Sequence, residues 1–366
     1  MDLKVGNINS FICIFTSSFP YKRGVISDIF KDIFDRIKKY SIVKQNIFYR
    51  HDSHKKELLE FINFYSKAHF FSTTFICQPL ADGMDIGIEI WAAPVHNMNH
   101  TSDICVFDSH FGRWGFISGI ESDKHALFNR KIDFVFNKMN HILKKSGFEF
   151  KHLIRTWYYI GGILNKEGDY IRYEILNRIR NSFYTSIWNN NRKEYPASTG
   201  IGMNSDNIIL DGICLIPNKD IKIIRLENPL QRSAFYYDMP IEKRPRFCRA
   251  IFVGNKNSCI VFVSGTASIR DSNVVYQDSI KEQTLITIEN IKNLISRENL
   301  RKYGIEIDIS LKDVKNIRVY LKKDSDYEIV KTICEDYFKD IPALYLVADI
   351  CRSSLLVEIE AIIEVG

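Results

Sequence analysis

Two glutamates near the C-terminal end, Glu358 and Glu360, alternate with apolar residues in Val357-Glu358-Ile359-Glu360-Ala361 and so share one face of a strand. A carboxyl whose charge is desolvated has its pKa raised, to about 6 or 7 in tuned sites, and can then deliver a proton near neutral pH. Glu358 is the candidate acid, with Glu360 one pair further along the strand. Periodicity alone argues the other way, because Leu355, Val357, Ile359 and Ala361 take one side and leave both glutamates on a solvent-facing one. Arg155 and Arg249 each border apolar, strand-like sequence, and a planar guanidinium binds a carboxylate through paired N–H donors. A lone arginine is more often a surface charge. Tyr158 and Tyr236 could donate hydroxyls, although among 18 tyrosines core packing is the ordinary role. Thr199, Gly200 and Gly265 would let backbone approach a ligand closely.

Other chemistries find less support. Cys351 as a nucleophile lacks a partner base nearby, since all nine histidines lie between His51 and His152. His96 and His100 have the spacing of two ligands on a helix face, but Pro94, Asn97 and Asn99 indicate a loop and no third ligand is evident. Neither a metal site nor a GxGxxG, Walker A or EF-hand loop is expected.

The elements that must position these residues are clearest after Arg246. Two apolar runs flank Gly254-Asn255-Lys256-Asn257, a hairpin signal. Ile280, Thr284, Ile288, Ile291 and Ile295 recur at helical spacing. Ile317, Val319 and Leu321 alternate as a strand, and Ser325-x-x-Glu328 has the form of a capping box ahead of a second amphipathic stripe. Two last strands, 343–351 and 355–364, complete the order strand, strand, helix, strand, helix, strand, strand. Two helices then cover one sheet face.

The same order recurs upstream. Phe116-Ile117-Ser118-Gly119 resembles Phe262-Val263-Ser264-Gly265, and Pro196-Ala197 follows the first Ser as Pro342-Ala343 follows the second, at equal intervals. That register sets Gly212 against Glu358. The expected fold is therefore α+β, with tandem units that are each a mixed sheet carrying two helices on one face. Residues 76–230 form a degenerate first unit and 246–366 a second one with the acid. Residues 1–75 are an N-terminal element whose architecture the pattern leaves open.

Composition bounds the rest. Fifty Lys plus Arg against 44 Asp plus Glu give +6 with the signs interleaved, which disfavours nucleic acid and suits an anionic small molecule. No stretch reads as a signal peptide or membrane span, and eight scattered cysteines without CxxC pairs fit a cytoplasmic setting.

The second unit resembles the YjgF/Rid family in its Ser264-Gly265 and its terminal Val357-Glu358-Ile359-Glu360-Ala361 strand. Over roughly residues 150–366 the chain is similar to the chorismatase family. The matching stretches are Arg155-Thr156-Trp157-Tyr158-Tyr159-Ile160, Arg172-Tyr173 with Asn177 and Arg180, Pro196 to Gly202, and Asn228-Pro229 with Gln231. Arg249-Ala250, Ser264 to Ile269, Cys351-Arg352 and the Glu358 strand complete the set. This resemblance implies cleavage of the enolpyruvyl ether of chorismate to release pyruvate, with no cofactor. It implies Glu358 as the acid, and Arg155, Arg249, Tyr158, Tyr236, Thr199, Gly200, Gly265, Thr266 and Cys351 around the substrate.

Gly265 and Cys351 look like the 3-hydroxybenzoate-forming subgroup. The alternative product is a dihydroxycyclohexadiene carboxylate. The chain departs from the family after Ile269, where Arg270 to Ser279 replaces a histidine-containing stretch. Two other readings stay open: a Rid-type deaminase, disfavoured by Leu344-Tyr345-Leu346 where an Arg is usual, and a non-catalytic binding protein. Related sites lie at subunit boundaries, which leaves room for a homo-oligomer.

Overall fold

The computed structural model describes residues 4–7, 12–22, 26–66, 72–94, 97–187 and 194–366. Its strands fall into three large sheets with one shared plan. The first holds β1 (Lys4–Asn7), β2 (Cys13–Phe19), β3 (Ser41–Tyr49), β4 (Ser72–Cys77) and β5 (Ile86–Ala93), with α1 (Ile26–Ile37) and α2 (Asp52–Ser66) in the connections. Its order is β1-β2-β5-β3-β4. The last strand thus enters the middle, antiparallel to both neighbours, and β4 lies parallel to β3.

The second sheet repeats this with β6 (Asn99–His100), β7 (Ile104–Ser109), β8 (Gly112–Glu121), α3 (Phe128–Lys145) and β9 (Leu153–Gly161). After a small hairpin, β10 (Lys166–Glu167) and β11 (Tyr170–Ile171), come α4 (Arg172–Ile187), β12 (Ala197–Met203) and β13 (Ile208–Pro217). Apart from the extra edge strand β6, the order β7-β8-β13-β9-β12 is that of the first sheet.

The third sheet adds β14 (Lys222–Leu226) at one edge and then runs β15 (Ala250–Gly254), β16 (Cys259–Ala267), a hairpin of β17 (Ile269–Arg270) and β18 (Asn273–Val274), and α5 (Ile280–Leu294). It continues through α6 (Arg297–Arg301), β19 (Val314–Leu321), α7 (Tyr327–Phe338), β20 (Ala343–Val347) and β21 (Val357–Val365), in the order β15-β16-β21-β19-β20. The two final strands are not neighbours, since β21 inserts between β16 and β19.

The α+β architecture with two helices on one face of each sheet is therefore as expected, but there are three such units where the repeat indicated two. The boundary drawn at residue 75 cuts through the first sheet, because β4 and β5 close it. The equal placement of Pro196-Ala197 and Pro342-Ala343 holds: each opens the strand that runs parallel to its unit's third one. The capping box does not form, as a short 3-10 turn (Asp324–Asp326) precedes α7 and Asp326 caps it without a side-chain bond.

Three apolar layers lie between the sheets and their own helices, for example Phe30, Ile33 and Leu58 on Ile47 and Ile88 in the first unit. The opposite faces of all three sheets meet in one central core containing Ile14, Trp91, Phe116, Trp157, Phe262 and Tyr320. The units close a ring. β12 of the second lies on the third, where Ala197 bridges Cys248 and Ile201 bridges Ile350. β20 of the third lies on the first, where Leu346 bridges Leu80, and β4 of the first lies on β8 of the second.

Strand register fixes the equivalences. Ile14, Phe116 and Phe262 face Trp91, Ile213 and Ile362 across their pairs, so two residues earlier Glu89, Asp211 and Glu360 correspond. All three acids point into the central core and each is neutralised there. Glu360 pairs with Arg155 (2.7 Å) and Arg318 (3.2 Å), Glu89 with Arg318, and Asp211 with Lys44. Buried charges of this kind are tolerated only when paired and hydrogen-bonded, as Trp157 Nε1 donating to Glu360 and Thr74 donating to Asp211 illustrate.

Candidate active site

Two residues before Glu360 on the same face stands Glu358, and its register equivalents in the other units are Ile209 and Gly87. Gly212 is not its counterpart. A Cβ on Gly212 would meet Leu153 and Met139, so that position faces the helices, and the strand register, irregular between Leu210 and Gly212, sets it three residues beyond the counterpart of Glu358. The conclusion that one unit alone carries an acid at this position nevertheless stands.

Glu358 is 4% exposed, and neither a hydrogen bond nor an ion pair reaches its carboxyl among the described residues. Burial, followed by the like charge of Glu360, pushes its pKa up to about 8, against the opposing pull of Arg155 and Arg249. The carboxyl is thus held neutral at pH 7. Its Oε1 sits where a side chain on residue 265 would go, and Gly265 supplies the room. The Gly265 N–H donates to Thr199 Oγ1 (3.1 Å), which ties β16 to β12 across the boundary between units. Gly200, next along β12, is pressed by the ring of Tyr173, 3.1 Å from where its Cβ would be. Thr266 turns back on its own strand and donates to the Ser264 carbonyl (2.9 Å).

Around the carboxyl lie groups that feel its charge. Burial and then Glu358 push the Cys351 thiol up to about 12, so this cysteine is a poor nucleophile. Tyr173 is held above the ordinary phenol range by burial, with Cys351, Arg180, Glu358 and Tyr237 as its electrostatic neighbours. Two buried guanidiniums complete the shell. Arg249 donates to Tyr237 Oη (2.7 Å) and to the Arg232 carbonyl (2.9 Å), while Arg180 donates to Asn177 Oδ1 (2.6 Å). The Nε donors of both are buried and unpartnered among the described residues, an unusual cost unless a ligand meets them.

The sequence candidates therefore divide. Glu358, Arg249, Thr199, Gly200, Gly265 and Cys351 come together at the boundary between the second and third units. Arg155 comes close, but its guanidinium ends on Glu360 and Thr199 (2.6 Å), which leaves it a charge behind the site. Tyr158 points to the opposite face, where it packs beneath Phe136 with its hydroxyl 3.5 Å from Tyr184. Tyr236 is half exposed, and its buried neighbour Tyr237 takes the contact with Arg249. Arg180 and Tyr173 lie in stretches that resemble the family, yet nothing in their local spacing marks them as site residues. His100 lies 3.6 Å from the Cys105 thiol, and His96 is outside the described residues.

Comparison with known proteins finds two family models. The model "Chorismatase FkbO/Hyg5-like, N-terminal" matches residues 89–214 and "Endoribonuclease L-PSP" matches 242–365. A 3-hydroxybenzoate synthase of Streptomyces hygroscopicus is 29% identical over 290 residues, which is 75% of this chain and 81% of that protein. The chain is similar to the chorismatases over three quarters of its length. A chorismatase of the same organism is also 29% identical, over 58% of this chain and 61% of its own length. A crystal structure of a chorismatase superposes with a TM-score of 0.73 at 18% identity, covering 99% of both chains, so the fold is shared throughout. The described residues before 89, which the N-terminal family model leaves out, build most of the first sheet and its two helices. The Arg270 to Ser279 segment, where the sequence departs from the family, forms the β17–β18 hairpin and leads into α5, whose N-cap is Ser279. Its Asp271 and the bound Arg232 pair at 2.9 Å.

Proposed function

We propose that the chain cleaves the enolpyruvyl ether of chorismate, releases pyruvate, and leaves 3-hydroxybenzoate. The observation that carries this reading is the neutral, buried Glu358 beside Arg249, with Arg180 on the other side of Tyr173 and an open buried donor on each arginine. Enol ether cleavage begins when a proton reaches the methylene carbon, which gives an oxocarbenium ion. Glu358 is the acid that would supply it, and its raised pKa keeps the proton in place at neutral pH. The carboxylate it becomes then stabilises the cation electrostatically. Chorismate carries two carboxylates, and Arg249 and Arg180 offer one guanidinium edge to each. Capture of the cation by the neighbouring ring hydroxyl would give a cyclic ketal. Its collapse lets pyruvate leave with the captured oxygen as its keto oxygen, and loss of a ring proton with reprotonation of the remaining oxygen aromatises the ring with no net gain or loss of water. Capture by water instead would leave the dihydroxycyclohexadiene carboxylate. The small Gly265 against Glu358, the nearby Cys351 and the relative's name favour the aromatic product.

The site lies between two units of one chain, so no second copy is needed to complete it. The test is to incubate the purified protein with chorismate, follow pyruvate, and identify the ring product by chromatography, with Glu358→Gln in parallel. Pyruvate with 3-hydroxybenzoate, lost in the variant, is the expected result. Folded protein that releases no pyruvate would overturn the reading in favour of a binding protein.

A further inference from the structure

The ring of three units contains three boundaries, and only one carries Glu358. The boundary between the third and first units encloses a cavity of about 160 Å³. Register maps it onto the Glu358 site position by position. Thr16 corresponds to Ser264, and its strand partner Lys4 corresponds to Arg249, which accepts the Ser264 N–H. Ser17 then stands for Gly265. From the two Pro-Ala pairs, Ile317 stands for Arg155 and Tyr345 for Thr199, with α7 in the place of α4. Lys4, Ser17, Ile317 and Tyr345 all line the cavity. At the third boundary Gly119 backs directly onto the Thr73 carbonyl.

We infer that this second cleft is a binding site for a small single-ring carboxylate, and that it binds without turnover. Three lysines line it (Lys4, Lys331 and Lys339) against two acids, Asp82 and Glu335. Asp82 is engaged by the Ser18 hydroxyl (2.8 Å) and the Met84 N–H (2.9 Å). Lys4 rests on the exposed Asp340, and Lys331 lies over the Tyr327 ring, so both can turn to an anion at little cost. The tyrosine rings of 327 and 345 with Ile317 and Leu344 offer apolar walls, and an apolar cavity of about 150 Å³ is known to take a benzene ring. No acid is available to the ligand from the Glu358 position. Gly87 occupies it, with the Leu80 side chain packed 2.9 Å from where its Cβ would be.

The experiment titrates the full chain carrying Glu358→Gln with 3-fluorobenzoate, read by ¹⁹F NMR and calorimetry, and repeats it with Lys331→Glu and with Lys4→Glu. The expected result is a binding event that weakens about tenfold or more on charge reversal at the partly exposed Lys331. Lys4→Glu reverses a second lysine of the cleft and weakens the event as well. Binding that is unchanged in both variants, or absent from the start, overturns the proposal. Chorismate turnover is measured separately on the parent chain. A chain that fails to cleave chorismate but keeps the Lys331-dependent binding defeats the catalytic reading and leaves this one standing.

Discussion

A Cβ on residue 265 would lie 2.0 Å from Glu358 Oε1, well inside the contact distance of any real carbon and oxygen. The glycine is thus the condition for the carboxyl's position. Gly265→Ala forces the acid to rotate away from its seat, and a displacement on the scale of 1 Å costs about a hundredfold in rate. Pyruvate release is expected to fall by that order while the melting temperature changes little, because the atom that must move is the far end of a flexible side chain. An alanine variant with parental kcat would show that the carboxyl does not act from this position.

The pH dependence follows from the same carboxyl. As a general acid it works when protonated, so the rate of pyruvate release should be flat below neutrality and fall as pH rises through about 8. Glu227, which burial holds up to about 7 near Arg249, could give a similar limb. Glu227→Gln should leave the limb where it is. Stability carries the opposite signature. The unfolded chain ionises Glu358 near 4.5 and the folded one only near 8, so raising the pH through that window favours the unfolded state. Glu358→Gln removes the penalty, and its advantage in urea midpoint over the parent should be small at pH 5 and reach a few kcal/mol near pH 8, as an order of magnitude.

How much of this was legible in the sequence differs by unit. The third unit was, because the α5 stripe and the hairpin at Asn255 are strong local signals. The first was hidden because β1 has only four residues and the landmark positions read Thr16-Ser17 and Phe71-Ser72 instead of Ser-Gly and Pro-Ala. Glu358 shows why alternation misled. Both faces of β21 are buried, one under α5 and one in the central core, so a polar stripe there does not mean solvent. Tyr237 lies just beyond a single 3-10 turn, where no periodicity distinguishes it from Tyr236. The Arg155–Glu360 pair joins residues 205 apart in the chain, and only the ring of sheets makes them neighbours.

That pair supports a prediction of its own. Glu360→Gln leaves Arg155 buried without its carboxylate and weakens the hold on Arg318, a change that typically destabilises by about 3–5 kcal/mol. It also removes the like charge that helps to keep Glu358 protonated and strengthens the net pull of Arg155. The alkaline limb of pyruvate release should therefore move to lower pH. A purely structural role for Glu360 would lower stability and leave the limb unmoved.

The last prediction separates the two open guanidiniums from the paired one. Arg249 and Arg180 each hold a buried Nε donor that nothing in the described residues satisfies, so a bound carboxylate gains a charge-assisted bond at each. Such bonds contribute about 1.5–3 kcal/mol, which corresponds to roughly ten- to a hundredfold in affinity. Arg180→Met and Arg249→Met should each raise KM for chorismate in that range. The Arg249 variant also frees the Tyr237 hydroxyl, so Tyr237→Phe serves as its control and should cost less. Arg155→Met should act differently, through loss of the Glu360 pair and a shifted pH profile more than through KM. If Arg155→Met alone raised KM, the substrate would have to lie over Glu360, and the two arginines assigned to its carboxylates would be the wrong ones.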